Sequence, residues 1–466
     1  MGNPYHLVRV PSNTHLTHSA HPHLVAPGEL TPGISLGEYK ERRSRLFETL
    51  PDDSVAVSCA ASTKYAYKFR QGSDFFYLTG VQEPESVLVL EKRGSNCKST
   101  LFMRDKVPSQ ELWDGPRTGV KAASDLFGVD DTLEIHNLSS HLSSVLPSYS
   151  HVYIDTPNHI SPPRRRSSLL QSLTAPTLSN VDSALSKVQW SKVRPLSKEL
   201  HQMRKLKSPS EIRLMRTAAD LSGHAHARTM RFTAPGMSEA ALAAHFEYLC
   251  ALRGSERPAY VPVVASGANA LVIHYTANDC IIQKNDLILV DAGCEFHNYA
   301  SDITRTWPAS GRFTSAQKDL YQAVLNTLKS VTKLASESQG HTLETLHYQS
   351  TDILSQELRQ VGLSTTSKDM DRLYPHFVGH PLGLDLHESG EDQRRDTLKE
   401  SMAITIEPGV YVPDDDRYPK HFRNIGIRIE DDVEVLSASA PKEISDVEGA
   451  CLGTLGLDAF WSPPIA

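Results

Sequence analysis

A strand that carries a charged side chain into an apolar core must supply that charge with a partner, and the second half of this chain does so four times. In LILVDAG the apolar run Leu287 to Val290 ends in Asp291. In NYASDITRTW, Asp302 follows eleven positions later (302 − 291 = 11), beside Ile303 and near Trp307. Two strands joined by a loop around Glu295 to Asn298 would form a hairpin and bring both aspartates to one face. AITIEPGVYV alternates, with Ile404 and Ile406 on one face and Thr405 and Glu407 on the other. IGIRIEDD repeats the pattern, opposing Ile425, Ile427 and Ile429 to Arg428 and Glu430. One such carboxylate is ordinarily a strand end exposed to water. Four of them, with PHFVGHPLGLDLHE lying between the two pairs, point to a metal site.

That segment supplies His376, His380 and His387, and its glycines at 379 and 383 would let backbone approach closely. If Asp291, Asp302, Glu407 and Glu430 converge, they cannot all stay ionised without compensation, because close like charges raise one another's pKa. Two divalent cations would neutralise them. A site of mostly oxygen ligands with one imidazole suits manganese, cobalt, iron or zinc, as a pair of ions about 3.5 to 4 Å apart.

Composition narrows the remaining classes. A chain of 466 residues is long for one core and implies two or more domains. With 39% hydrophobic and 22% charged residues it has the balance of an ordinary globular protein, which argues against disorder. A formal charge of −7 gives no general basis for binding nucleic acid or anionic membrane. The dense basic run Arg164 to Arg166 sits in a Pro/Ser-rich stretch and reads as a solvated loop. The six cysteines are scattered without a CxxC pair, which suits a reducing compartment better than a disulfide framework. No apolar run approaches the roughly 18 residues that would span a bilayer. Residues 1 to 28 hold no acid, five histidines and one arginine, so they match a transit peptide in one respect and not in the other. Met-Gly at the start lacks the hydroxyl residue at position six that myristoylation needs, since His6 stands there.

The organisation follows from composition and pattern. Residues 1–37 read as an extension rich in His, Pro and Ser. A domain over 38–195 begins with a helix in EYKERRSRLFETL and continues through β-like runs, VAVSC, DFFYLTG, SVLVLEK, STLFM and HVYID. Ser208-Pro209-Ser210-Glu211 has the residues of a capping box with proline at the first helical position, so a helix starts there. The region that carries the four carboxylates spans 200–457. The fold class is α+β, an amino-terminal α/β domain followed by the four-carboxylate domain.

The residues now carry a family resemblance. DAG, SDITRT, GHPLGLDLHE, IEPGVY and GIRIED resemble, in type, order and spacing, the aminopeptidase P and prolidase group of dinuclear metallopeptidases, whose catalytic domain is the pita-bread (creatinase/aminopeptidase-like) fold. FRQGSDFFYLTGVQEPESVLVLEK and ELWDGPRTG resemble that group's amino-terminal domain, and HPHLVAPGELTPGISLGEYKERRSRLFETLP resembles its mitochondrial Xaa-Pro aminopeptidase branch. The resemblance implies five metal ligands: Asp302 and Glu430 bridge two ions, Asp291 completes one site, and His380 with Glu407 completes the other. Manganese is the first expectation, with zinc and cobalt as alternatives. It implies catalytic roles for His274, seventeen positions before Asp291 (291 − 274 = 17), for His387 and for Glu407, and places His376, Arg428 and Tyr411 around substrate or ligands.

The implied reaction is release of one N-terminal residue from a peptide or protein, either Xaa-Pro cleavage or trimming of imported precursor intermediates, by a water made acidic between the two ions. Glu407 would accept its proton, and His387 with His274 would donate hydrogen bonds to the oxyanion. Prolidase action on Xaa-Pro dipeptides is the alternative, and a metal-free binding scaffold the remote one. His224, His226 and His297 are read as non-ligands. HESGE at His387 begins like a zincin motif but lacks the second histidine. Resemblance further implies a mitochondrial location, with cytoplasm or nucleus as alternatives. It also implies a homo-oligomer, dimer or tetramer, in which Trp113 reaches a neighbouring subunit.

Overall fold

Six strands of three to eight residues, the central ones apolar, build the sheet of the first unit. The computed structural model describes residues 15–62, 67–155, 176–388, 391–438 and 441–444. It divides the chain into Met1–Met203 and Arg204–Ala466. Residues 1–14 and the run Arg164 to Arg166 lie outside the described residues. In the first unit, strands Ser54–Cys59 (β1), Val87–Arg93 (β2), Asn96–Met103 (β3), Asp131–Glu134 (β4), His151–Asp155 (β5) and Val193–Pro195 (β6) form one sheet in the order β4-β3-β2-β1-β5-β6. The β1–β2–β3 pairings are antiparallel and the outer ones parallel. Val193–Pro195 therefore belongs to this sheet, at the end of the stretch 38–195 read from the sequence as one domain. Helix Leu36–Thr49 (α1) begins where expected, its first turn capped by Ser35.

DFFYLTG does not form the strand expected of it. Ser73–Thr79 is a helix (α2), with Asp74 to Thr79 all buried. Gly80 ends it in the left-handed conformation, its N–H bonded to the Phe76 carbonyl at 2.8 Å. A short run that is buried on every side shows no period by which helix and strand differ, and here the left-handed glycine after Thr79 marks the helix end.

The second unit opens on the predicted helix, Pro209–Phe232 (α3). Ser208 Oγ accepts the Glu211 N–H at 3.2 Å, and the Glu211 carboxylate accepts the Ser208 N–H at 2.9 Å. Helix Glu239–Ala251 (α4) follows. Strands Val263–Ser266 (β7), Leu287–Asp291 (β8) and Thr304–Pro308 (β11) form an antiparallel sheet with Asp291 opposite Thr304. Between β8 and β11 a small hairpin, Cys294–Phe296 (β9) and Tyr299–Ala300 (β10), turns at His297 and Asn298. Both turn residues have positive φ, 50° and 69°, which a two-residue turn of this hand requires. Strands Ala403–Ile406 (β12) and Asp431–Glu434 (β15) pair, as do Gly409–Val412 (β13) and Ile425–Arg428 (β14). Leucines and valines of helices Ser315–Leu334 (α5) and Leu343–Gln360 (α6), among them Val324, Leu328, Leu346 and Leu354, share one apolar cluster with Ile404, Ile406, Val410, Val412 and Ile427. No helix among the described residues is long and apolar enough to cross a membrane.

Candidate metal centre

Thr304 is the point where three strands meet. It lies opposite Asp291 on one side and forms a bridge with Glu430 on the other, whose N–H bonds the Thr304 carbonyl at 3.1 Å. Asp302 precedes it by two residues, on the same face of an extended chain. Three carboxylates far apart in sequence are thus delivered to one spot by backbone pairing. The segment before β12 supplies the rest. Thr405 N–H bonds the His380 carbonyl and Glu407 N–H the Val378 carbonyl, each at 2.8 Å, so His380 runs alongside β12 toward Glu407 at its end. Gly379 permits this: a Cβ there would stand 1.9 Å from the Thr405 carbonyl oxygen.

The five expected ligand positions come together. His380 Nε2 lies 3.3 Å from Asp302 Oδ2 and 3.9 Å from Glu407 Oε1. Asp302, His380 and Glu430 each offer a ligand atom within 4.8 Å of the others. The other ring nitrogen of His380, Nδ1, is 3.1 Å from the Pro381 carbonyl; with Nδ1 donating there, Nε2 faces the acids and is free to exchange its proton for a metal ion. His387 stacks edge-on against His380, ring centroids 4.3 Å apart, and is solvent-exposed, as is His274.

Arg428 is 2% exposed. Its Nη2 donates to Asp291 Oδ2 at 2.5 Å, Nη1 to Tyr411 Oη at 2.8 Å and Nε to Thr304 Oγ1 at 3.2 Å. Thr304 Oγ1 in turn donates to Glu430 Oε2 at 2.6 Å. Tyr411 Oη is 2.9 Å from His376 Nε2, and His376 Nδ1 is 2.9 Å from its neighbour's carbonyl at Phe377. Burial, with help from Arg428, pushes the His376 ring down to about 3, so it is neutral and accepts from Tyr411. Tyr411 and His376 form a chain running from Arg428 to the edge of Glu407, whose Oε2 is 3.6 Å from His376 Nδ1.

Electrostatics tests whether these residues fit a cation. Burial is the largest cause that pushes Glu407 up to about 7, and the Asp302 and Asp291 charges add to it against His380 and Arg428. Burial and the neighbouring acids also raise Glu430 well above the carboxylate range. Asp291 is raised as well, mainly by burial, against the opposing pull of Arg428. Asp302 moves the other way: burial works to raise it, but the His380 hydrogen bond and charge, with Tyr260 and Arg428, hold it low. For His380 burial opposes the charged ring, yet Asp302 and Glu407 outweigh it and raise its affinity for positive charge. The cluster is short of positive charge, and its donor set of carboxylate oxygens and one imidazole nitrogen fits hard or borderline divalent ions.

Several residues around the centre were not legible in the sequence. Tyr260 Oη is 2.5 Å from both Asp291 Oδ1 and Asp302 Oδ1; its one phenolic proton serves two acceptors, and the neutral phenol leaves the charge of the pair unchanged. Asp432 accepts the Asp302 N–H with both oxygens at 3.2 Å. Arg305 binds Asp431 at 2.5 Å and the Glu430 carbonyl at 2.6 Å. Asp431 and Asp432 extend the GIRIEDD run as acids beyond Glu430, which was the available signal; Tyr260 had none. His226 is buried with Nε2 at 2.9 Å from the Ala292 carbonyl, behind the centre. His297 pairs with Glu256 at 2.9 Å and His224 with Arg228 at 3.1 Å, away from the ligands.

The model of Metallopeptidase family M24 matches residues 213–437, and that of the Aminopeptidase P, N-terminal domain, matches residues 39–153. Over 444 residues the chain is 39% identical to Intermediate cleaving peptidase 55, mitochondrial, of Arabidopsis thaliana, covering 93% of this chain and 86% of that protein. It is 39% identical over 466 residues to Xaa-Pro aminopeptidase 3 of Mus musculus, covering 93% and 89%. The zinc-substituted aminopeptidase P of Escherichia coli in complex with product superposes with a TM-score of 0.80 at 32% identity, covering 89% of this chain and 95% of that one.

Proposed function

This chain belongs to metallopeptidase family M24 and is a metal-dependent aminopeptidase that acts on peptide or protein N-termini; we propose that Asp291, Asp302, His380, Glu407 and Glu430 would hold two divalent ions, manganese first. The observation that carries the assignment is the convergence of two buried carboxylates, Asp302 and Glu430, and two half-buried ones, Asp291 and Glu407, around one imidazole, with Arg428 hydrogen-bonded to Asp291 as their guanidinium partner. When bound, the ions neutralise the acids and make a water nucleophilic near neutral pH.

The chain's own groups do the rest. Glu407, at the end of β12 beside His380, takes a proton from the attacking water and returns it to the departing amine. His387 stands beside His380 with a solvent-facing ring and donates a hydrogen bond to the oxyanion as it develops on the scissile carbonyl. His274, on the exposed loop before β8, contacts the substrate or relays a proton from the same side. Asp291 receives the substrate's α-amine, which confines cleavage to the first residue. Arg428 has no exposed surface to offer a substrate; it orders Asp291 directly and Glu430 through Thr304. Tyr411 and His376 fix Arg428 and buttress Glu407.

Substrate choice is Xaa-Pro release or trimming of one residue from a precursor without need of proline, in mitochondria. The support is that relatives carrying both names align over nearly the whole chain. A homo-oligomer is part of the reading: Leu112 and Trp113, on one helix of the first unit, are 81% and 85% exposed, and Trp113→Glu shifting the mass by light scattering toward that of one chain checks it. Release of the first residue is followed on two matched peptides, one Xaa-Pro-Yyy and one with Tyr or Leu before a residue other than proline, after chelation and readdition of Mn²⁺. Cleavage of the proline peptide alone assigns Xaa-Pro specificity, and cleavage of both assigns presequence trimming. Cleavage of neither with any metal refutes the peptidase assignment.

A further inference from the structure

Glu239 is fully buried at the first position of α4, and five hydrogen bonds converge on its carboxylate. Oε1 accepts from Ser266 N–H at 2.7 Å, Ser266 Oγ at 2.7 Å and Asn269 Nδ2 at 3.0 Å. Oε2 accepts from Tyr275 Oη at 2.8 Å and Cys280 N–H at 3.0 Å. The Glu239 N–H itself bonds the Cys280 carbonyl at 3.0 Å. All these partners lie at the two ends or in the middle of the loop from Ser266 to Cys280.

Glu239, Asp279 and Cys280 bring three potential ligand atoms within 4.8 Å of one another, the geometry of a cation site. The hydrogen bonds decide against that use. A carboxylate offers about four lone-pair sites, and five donors occupy those of Glu239; its depressed pKa has the same origin, burial opposing and the Asn269 and Ser266 hydrogen bonds prevailing. The carboxylate is fully engaged by the loop.

Leu271, Ile273 and Tyr275 of the loop pack against the buried cluster of Val263, Ala265, Ala270, Leu289 and Tyr411. Val272, His274, Thr276, Ala277 and Asp279 face solvent. It is seated at two further points. Asn278 holds β7, accepting Val264 N–H and donating to the Pro262 carbonyl, both at 2.8 Å. The turn at Ala270 lies so close to β14 that a Cβ on Gly426 would stand 2.3 Å from the Ala270 carbonyl oxygen. β14 ends in Arg428, so the loop is docked against the strand that orders the acids. His274 lies between Asn269 and Tyr275, both tied to Glu239.

We propose that Glu239 is the positioning residue for His274: a buried anion, remote from the ligands, that fixes an exposed loop so that this imidazole meets the substrate. The inference rests on the role given to His274 above. Glu239→Gln keeps the shape but replaces one acceptor by an amide donor, which leaves either the Cys280 N–H or the Ser266 group without an acceptor. Tyr275→Phe removes one donor and leaves the carboxylate in place.

The test is a double-mutant cycle on the Mn²⁺-loaded full-length enzyme with the peptides above, reading kcat and KM separately alongside Tm and bound metal. Expected results are a kcat/KM loss of at least tenfold for Glu239→Gln and a smaller loss for Tyr275→Phe, both with bound Mn²⁺ unchanged. In a His274→Ala background both changes cost less than threefold. If His274→Ala is impaired and Glu239→Gln multiplies that loss in full, or lowers only Tm with kcat and KM intact, Glu239 is a structural residue and the proposal is overturned. If His274→Ala is itself neutral, the role given to His274 fails, and the proposal with it. Should Glu239→Gln not fold, the Tyr275→Phe cycle takes its place: a loss that vanishes in the His274→Ala background supports the proposal, and one that persists in full overturns it.

Discussion

Arg428 lies two residues before Glu430, and in the folded chain its guanidinium reaches Asp291, Tyr411 and Thr304 together. A buried charge-assisted network of this kind loses several kcal/mol when one member is deleted, because the partners stay buried without compensation. Arg428→Ala is expected to lower kcat by at least tenfold and weaken metal retention during dialysis. Turnover within a factor of two of wild type would contradict the role. At this scale the sequence showed the acids clearly, since each sits at or beside the end of an apolar strand, and His380 by its place among three histidines in PHFVGHPLGLDLHE. It could not show Tyr260, which stands 31 and 42 positions before its two partners and reaches them by chain pairing. Asp432 is the intermediate case, visible as an acid in the run yet without a sign that it would turn to the Asp302 N–H.

Strands and the short segments between them set how closely these groups approach. The segment around Gly379 lies against β12, and a methyl group there has no direction in which to relax, since the neighbour is backbone held by the His380–Thr405 hydrogen bonds. Overpacking of this kind costs typically about 1 to 3 kcal/mol, so Gly379→Ala is expected to lower Tm by about 3 to 10 °C. An unshifted Tm, or a raised one, would show that the contact is loose. Helix α3 contributes a second effect through His226. Burial lowers its pKa from 6.5 to about 4, so between those values the unfolded chain binds the proton that the folded chain refuses. Stability from this residue is present above pH 6.5 and is lost as pH falls toward 4, by about 2 kcal/mol between pH 7 and 5. His226→Gln should flatten the fall of Tm over that range, and an equally steep fall would assign the acid sensitivity to other groups. Elements with a period or a cap, such as α3 with its Ser208 box, were legible in the sequence. α2 was not, because six consecutive buried residues offer no polar face to count from.

For the whole molecule, an antiparallel strand group from each half of the second unit meets at Thr304, and the acids delivered there carry more negative charge than the chain itself neutralises. Motif order in the sequence anticipated that convergence, whereas the interleaving of pairings that produces it, Asp291 with Thr304 and Thr304 with Glu430, is long-range information that no local pattern holds. Val193–Pro195 shows the same limit: it joins the first unit's sheet by pairing with β5, a contact that no local pattern announces. The central claim is that this charge deficit is filled by two metal ions. It is tested by the manganese content of the full-length protein after chelation, reloading and removal of free ion, measured by mass spectrometry for wild type and for Glu430→Gln. Two ions per chain in wild type, with fewer than one in the variant and activity lost in parallel, is the predicted result. A wild-type chain that cleaves peptides with no bound metal, or a variant that retains both ions, would contradict it.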